Sequence, residues 1–397
     1  MTLLSNKIRS IEESATLAMA RRARELIEAG HEVINLSLGE PDFNTPEFIK
    51  EAAKEAIDQN FSKYTPVPGY KDLRKTISNK FKRDNGLLYD EEEIVCSTGA
   101  KQSIAQLLMV LLDKKDEVIL PAPYWVSYYQ MVKLAEGIPK VIETDINHNF
   151  KISPKQLENA ITKKTKALLF SSPCNPTGSV YSKKELCNLS EVLRKYPHIV
   201  IISDEIYEHI NFTKHHFSIG SIPEMRKQVV TVNGLSKGYA MTGWRFGYLG
   251  APRQIAAACI KMQGQITSAT CSITQRAAIA ALSKTPQCTH DMRNEFKNRR
   301  DLIIQLLSKI KNLTINQPEG AFYIFPNIKK YIGKSYNKKI IKNADDLSLF
   351  LLQDSGISTV SGSAFGADEY IRISYATSEK TIKKACELIK LSLSKLI

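Results

Sequence analysis

No Cys-x-x-Cys pair and no clustering of cysteine with histidine occurs anywhere in the 397 residues, so a structural zinc site of the usual spacing is excluded. The seven cysteines, at 96, 174, 187, 259, 271, 288 and 386, are odd in number and dispersed. That favours free, packed thiols over a disulfide framework. Long apolar runs are missing too. The longest, Ile104 to Leu112, contains Gln106 and falls far short of the roughly 18 residues that a membrane-spanning helix needs. Met1 to Ala20 is broken by Lys7, Arg9, Glu12 and Glu13 and so lacks the apolar centre of an export signal. The expectation is a cytoplasmic protein with no membrane partner. There is no internal repeat and no disordered linker.

What is present is ordinary globular composition, 43% hydrophobic and 24% charged. At about 100–200 residues per domain, two domains or one large and one smaller are expected. The net charge of +14 raises the question of a nucleic-acid partner. The excess is spread widely, with one concentration at Lys329, Lys330, Lys334, Lys338, Lys339 and Lys342, interleaved with Tyr331 and Tyr336. A solvated lysine-rich loop explains that segment better than a nucleic-acid surface. A positive field also suits ligands bearing phosphate or carboxylate groups.

The stretch Val229 to Gly250 holds the most informative lysine. A β-branched run, Val229 to Val232, leads into a turn at Asn233 and Gly234, and Ser236 and Lys237 follow at once. A lysine at a strand end among apolar neighbours loses part of its solvation, so its amine can shed a proton near neutral pH and attack a carbonyl. Arg245 lies eight residues on, among glycines and aromatics. A surface lysine after a turn is the alternative, and the rest of the chain must decide.

Six further strand-like runs are short and apolar on both faces: Ile94 to Ser97, Glu117 to Leu120, Pro139 to Ile142, Ala167 to Ser171, Ile199 to Ser203 and Phe246 to Leu249. Helix-like stretches separate most of them, the pattern of a mainly parallel sheet covered on both sides. Ligands of such sheets bind at the carboxyl ends of the strands. After the first of these runs, Thr98-Gly99-Ala100-Lys101 opens a helix and could cup an anion on free backbone N–H groups, although an ordinary helix start reads the same way. Trp125 follows the second run, Asn175 lies between Pro173 and Pro176, and Asp204 and Tyr207 follow Ile199 to Ser203. Each alone could be a core ring, a turn former or a cap. Jointly they bring an aromatic plane, an amide, a carboxylate, a phenol, an amine and an anion cup to one rim.

A phosphorylated, aromatic, electron-accepting aldehyde uses all of these groups, and pyridoxal 5′-phosphate is that molecule. Lys237 would hold its aldehyde, Asp204 would keep its ring nitrogen protonated, and Asn175 and Tyr207 would bond its phenolic oxygen. Trp125 would stack on the ring. The loop with Gly99, Ala100 and Lys101, together with Ser236 and Arg245, would hold the phosphate.

The chain resembles class I/II aminotransferases of the aspartate aminotransferase superfamily, fold type I, in their bacterial branch. The likeness rests on Ser37-Leu38-Gly39-Glu40-Pro41-Asp42-Phe43, Lys63-Tyr64, Ala122 to Tyr128, Asn175-Pro176-Thr177-Gly178, Ser203 to Glu208, Ser236-Lys237, Gly243-Trp244-Arg245 and Arg372 to Ala376. It implies an α/β fold with a mainly parallel seven-stranded sheet in a large domain plus a smaller α+β domain. The expected division is an arm and part of the small domain at 1–48, the large domain at 49–290 and the small domain at 291–397. The resemblance further implies a homodimer in which Tyr64 reaches the neighbouring subunit's phosphate. It also implies an α-carboxylate clamp from Arg372, helped by Asn175, Trp125 and the backbone of Gly39. Arginine's planar fork suits that task.

The implied reaction is ping-pong transfer of an amino group between L-aspartate and 2-oxoglutarate, with Lys237 as general base and acid. In this branch a lysine of the phosphate-loop segment often meets the distal carboxylate, and Lys101 is the candidate. Relatives that also aminate prephenate tend to carry a lysine shortly before Ser-Ala-Thr. Here Glu12 and Glu13 precede Ser14-Ala15-Thr16, which puts that activity in doubt. A pyridoxal-dependent C–S lyase is the rival reading.

Overall fold

The computed structural model describes residues 3–284 and 287–397. Seven strands form one sheet in the order Ile94–Ser97, Gly247–Gly250, Val229–Gly234, Val200–Asp204, Thr165–Ser171, Glu117–Pro121, Ile138–Ile142. Only Gly247–Gly250 runs against its neighbours; every other pairing in the sheet is parallel. The strands start and stop within a residue or two of the apolar runs that predict them.

Except in the edge strand Ile138–Ile142, which is mostly exposed, alternation along these strands sends side chains into separate cores, which is why they read as unbroken apolar runs. Leu168 and Ile201 join Leu186, Leu189 and Leu193 of helix Lys183–Leu193 on one face. Leu169, Ile202 and Val230 meet Ile104, Leu107 and Leu108 of helix Ala100–Leu111 on the other. That helix begins four residues before the apolar run suggests. In its first turn Ala100 packs against the core and Ser103 is wholly buried, but Lys101, Gln102 and Ser103 are polar, so hydrophobic spacing underreports it.

Helix Glu47–Asp58 departs from what apolar spacing alone suggests. The sequence predicts a face of Phe48, Ala52, Ala53, Ala56 and Ile57, but Ile49, Ala53 and Ala56 are the buried residues. Phe48 and Ile57 are 38% and 57% exposed. Spacings of four and three residues put 49, 53 and 56 on one stripe, packed against helix Ser272–Leu282.

A second, three-stranded antiparallel sheet has the order Val360–Ser361, Ile371–Ser374, Tyr323–Ile324. Helices Gln287–Leu307, Ala344–Ser355 and Glu379–Ser394 supply Phe296, Leu307, Leu347, Leu351 and Ile389 to its core. The short strand Ile34–Asn35 pairs in parallel with Ile357–Ser358, beside the smaller sheet, whereas Ser10 and Glu12 hydrogen-bond to Lys133 and Gln130 of helix Val126–Leu134. In the lysine-rich segment Tyr331 is buried and Tyr336 packs edge-on against Phe350. Burial withdraws the Tyr331 ring from any stacking role. No helix among the described residues is long and apolar enough to cross a membrane.

Candidate active site

The carboxyl ends of the parallel strands open onto a cavity of about 290 Å³, bounded on its far side by the smaller unit and the N-terminal segment. Around it stand Gly39, Ala100, Lys101, Trp125, Asn175, Asp204, Tyr207, Ser236, Lys237, Arg245 and Arg372. These residues come from segments up to 333 positions apart, counting from 39 to 372, and the sheet topology gathers them. Gly99 sits just behind the wall. Tyr64 lies outside it and is 99% exposed on this single chain.

Lys237 follows strand Val229–Gly234, where Gly234 is required by crowding. A Cβ there would lie 2.8 Å from the carbonyl oxygen of Phe246 on the adjacent strand. The Lys237 ammonium donates to the carbonyl of Gly39. Burial brings its pKa down to about 8, with Glu40 at the cavity rim pulling the other way. Arg372 and Arg245 add to the depression.

Asp204 ends strand Val200–Asp204 and is 4% exposed. Its Oδ2 accepts from the Tyr128 phenol at 2.6 Å and its Oδ1 from the Ile206 N–H at 3.2 Å. Burial raises its pKa to about 6, and those two donors limit the rise.

Arg372 is 1% exposed on strand Ile371–Ser374. It donates to Asn175 Oδ1 at 3.0 Å and to the carbonyl of Ser37, while its Nε has no partner. No carboxylate pairs with it among the described ion pairs. Its guanidinium rests on the Tyr323 ring, 4.5 Å from the centroid. A buried, uncompensated cation of this kind is complementary to an anion that arrives from outside.

At the other end, Gly99 has φ +87° and carries no side-chain cap for helix Ala100–Leu111, whose first N–H groups stay open. A Cβ on Gly99 would lie 2.4 Å from an Arg245 guanidinium nitrogen. Arg245 itself donates to the Thr242 carbonyl at 2.9 Å. Lys101 reaches over the Trp125 indole, 4.9 Å from its centroid, and burial and Arg245 lower its pKa. The cavity is therefore cationic at both ends, with one carboxylate at its floor.

Sequence reasoning assigned no role to Tyr128, Tyr323, Glu40 or the Ser37 carbonyl. Tyr128 was within reach, lying three residues after Trp125 and so on the same side of the first turn of helix Val126–Leu134. Tyr323 gave no local signal, since only the packing of the smaller sheet brings it in.

Fold and cavity together define an α/β protein that presents an amine, a carboxylate and several cations at the carboxyl edge of a mainly parallel sheet. The chain belongs to the class I and II aminotransferases, whose family pattern matches residues 31–389. It is 46% identical to a probable aspartate/prephenate aminotransferase of Rickettsia felis over 389 residues, which cover 97% of this chain and 95% of that protein. The aspartate aminotransferase of Rhizobium meliloti has the same fold with a TM-score of 0.96, at 41% identity and covering 100% of both chains. That of Thermus thermophilus, solved with maleate, gives 0.92 at 36% identity, covering 99% of this chain and 100% of its own.

Proposed function

We propose that this aminotransferase uses pyridoxal 5′-phosphate to pass the amino group between L-aspartate and 2-oxoglutarate, yielding oxaloacetate and L-glutamate by a ping-pong cycle. The observation that carries the reading is Arg372, buried, with an unpaired Nε and no carboxylate partner among the described ion pairs, at one end of a cavity whose other cations are Lys101, Lys237 and Arg245. A dicarboxylic substrate and a phosphate together answer that charge.

The residues fit the cofactor. Asp204 offers a buried carboxylate for a ring nitrogen, the open start of helix Ala100–Leu111 with Ser236 and Arg245 suits a phosphate, and Trp125 offers a ring face. When bound, the cofactor supplies an aldehyde that accepts the amino group and a protonated ring that withdraws electrons from the substrate's Cα. Lys237 is assigned to hold that aldehyde and, once displaced, to take the Cα proton and return it. A pKa of about 8 lets it do both near neutral pH. Asp204 keeps the ring nitrogen protonated, and Tyr128 keeps Asp204 aimed. Asn175 and Tyr207 hold the phenolic oxygen. Arg372, with Asn175, Trp125 and the backbone of Gly39, orients the α-carboxylate, and Lys101 meets the distal one.

The protein is read as a cytoplasmic homodimer in which Tyr64 reaches the partner's phosphate. The exposure of that side chain on a single chain supports this. A second reading, dual use of aspartate and prephenate, is favoured by the name of the Rickettsia felis relative and opposed by Glu12 and Glu13, both exposed. The deciding experiment is a visible spectrum of the purified protein with pyridoxal 5′-phosphate, before and after aspartate, with oxaloacetate measured as product. A band that ignores aspartate, or no glutamate formed once 2-oxoglutarate is added, overturns the assignment. Prephenate in place of 2-oxoglutarate separates the two readings.

A further inference from the structure

Tyr323 touches three groups of the site at once. It is wholly buried on strand Tyr323–Ile324, and its Oη lies 2.8 Å from the Oη of Tyr207. The two rings meet edge to face, with centroids 5.9 Å apart. The face of Tyr323 supports the Arg372 guanidinium. Gly39 is bare because of this same hydroxyl, since a Cβ there would lie 2.3 Å from it. Tyr323 arrives from the smaller sheet, whereas Tyr207 follows strand Val200–Asp204.

Each phenol has one proton to donate. In the reading above, on which this inference rests, Tyr207 gives its proton to the phenolic oxygen of the cofactor. Tyr323 must then be the donor between the two tyrosines. The resulting chain, Tyr323 O–H to Tyr207 O–H to phenolic oxygen, is polarised in one direction, and each bond strengthens the next. We propose that Tyr323 is a positioning residue that acts through Tyr207, fixing and strengthening its donation to the cofactor oxygen. Donation disperses negative charge on that oxygen, so a proton shared with the Lys237 nitrogen is released at lower pH. Remove the Tyr323 hydroxyl and the proton is held longer.

The test is a spectrophotometric pH titration of the holoenzyme's visible band, without substrate. Tyr323→Phe keeps the ring and its support of Arg372 while deleting the relay. Its midpoint is expected about half to one pH unit above wild type, the range of one hydrogen bond's net worth. Tyr207→Phe should raise the midpoint as well, and adding Tyr323→Phe to it should change nothing further. An unmoved midpoint in Tyr323→Phe overturns the relay, as does a full additional shift in the double variant, which would mean that Tyr323 acts independently. If wild type forms no visible band with pyridoxal 5′-phosphate, the cofactor reading falls and takes the relay with it. A normal wild-type titration beside an unmoved variant sinks the relay alone.

Discussion

The phenol of Tyr128 donates to Asp204 Oδ2 at 2.6 Å across 76 residues of sequence, at the floor of the cavity. The bond joins the first helix after strand Glu117–Pro121 to the end of strand Val200–Asp204, two strands further along the sheet. It does two things at once. It fixes which oxygen of the carboxylate faces the helix, and it offsets part of the cost of burying a charge there.

That offset is incomplete, which makes Asp204 a liability in the cofactor-free protein. Its pKa is about 6 in the fold against 3.8 ordinarily, so the folded state holds the proton more tightly than the unfolded chain. Below about pH 3.8 the group is neutral in both states and costs nothing. Between about 4 and 6 the unfolded chain ionises first, so stability falls as pH rises, by about 3 kcal/mol once both states are charged. Asp204→Asn removes the charge and keeps the Tyr128 bond at the loss of the Ile206 N–H bond, a smaller cost of about 1 kcal/mol. Urea denaturation of the two apoproteins should show the variant to be the more stable at pH 7.5, with the gap closing toward pH 4. A less stable variant at pH 7.5 contradicts the account.

Glu40 is expected to set the pH at which Lys237 becomes reactive. It lines the rim, is hydrogen-bonded by the Thr242 hydroxyl, and opposes the loss of the Lys237 proton. Capture of pyridoxal 5′-phosphate by the apoprotein needs the free amine, so its rate should climb up to about pH 8 and level off above. Glu40→Gln retains an acceptor for Thr242 and removes the charge, which moves the midpoint below 8. Stopped-flow uptake measured across pH 6–10 gives the answer (roughly two units on each side of an amine's titration cover it). A midpoint that rises rules this role out.

Gly99 serves Arg245 rather than touching the cavity itself. Its φ of +87° is strained for any side chain, and a methyl would push the guanidinium away from the helix start. Gly99→Ala should weaken cofactor binding by about tenfold or more, on the scale of 1–3 kcal/mol for such strain. Asp204 and Lys237 are untouched, so the band position should hold. Equilibrium titration of the apoprotein with pyridoxal 5′-phosphate reads both. An unchanged affinity would separate Arg245 from phosphate holding.

The large sheet was legible because a strand buried on both faces leaves an unbroken apolar run with little else to imitate it. Lys237, Asp204 and Asn175 drew notice because each follows or ends a strand-like run or sits in a turn of unusual composition, whereas Arg372, inside strand Ile371–Ser374, was singled out only through the family resemblance. Local spacing failed where packing decides. Phe48 and Ile57 are apolar yet exposed, because helix Glu47–Asp58 offers its neighbour the stripe Ile49, Ala53 and Ala56 instead. Tyr207 and Tyr323 are 116 residues apart, and no pattern in either segment announces that their hydroxyls meet. Glu40 gave no signal either, because its partner, Thr242, lies 202 residues away.

Arg372 is expected to change activity and stability in opposite senses. Its donors reach only neutral acceptors, Asn175 Oδ1 and the Ser37 carbonyl, and burial lowers its pKa. Taking a cation out of water without a counter-ion is costly, and apolar replacements of buried charges are often neutral or stabilising. The cavity is roomy enough for water to serve the two acceptors left behind. Arg372→Met should therefore leave the apoprotein's Tm unchanged or higher, while kcat/KM for aspartate falls about 10²–10⁴-fold, the loss typical of one partner of a desolvated charge pair. Arg372→Lys should lose most activity as well, because the bidentate fork is gone, yet it keeps a buried charge and gains no stability. Adding maleate, a dicarboxylate, should raise the wild-type Tm and leave that of Arg372→Met in place. If Arg372→Met instead destabilised the apoprotein as a core truncation does, by about 2–5 kcal/mol, the guanidinium would be a structural strut and not a waiting anion site.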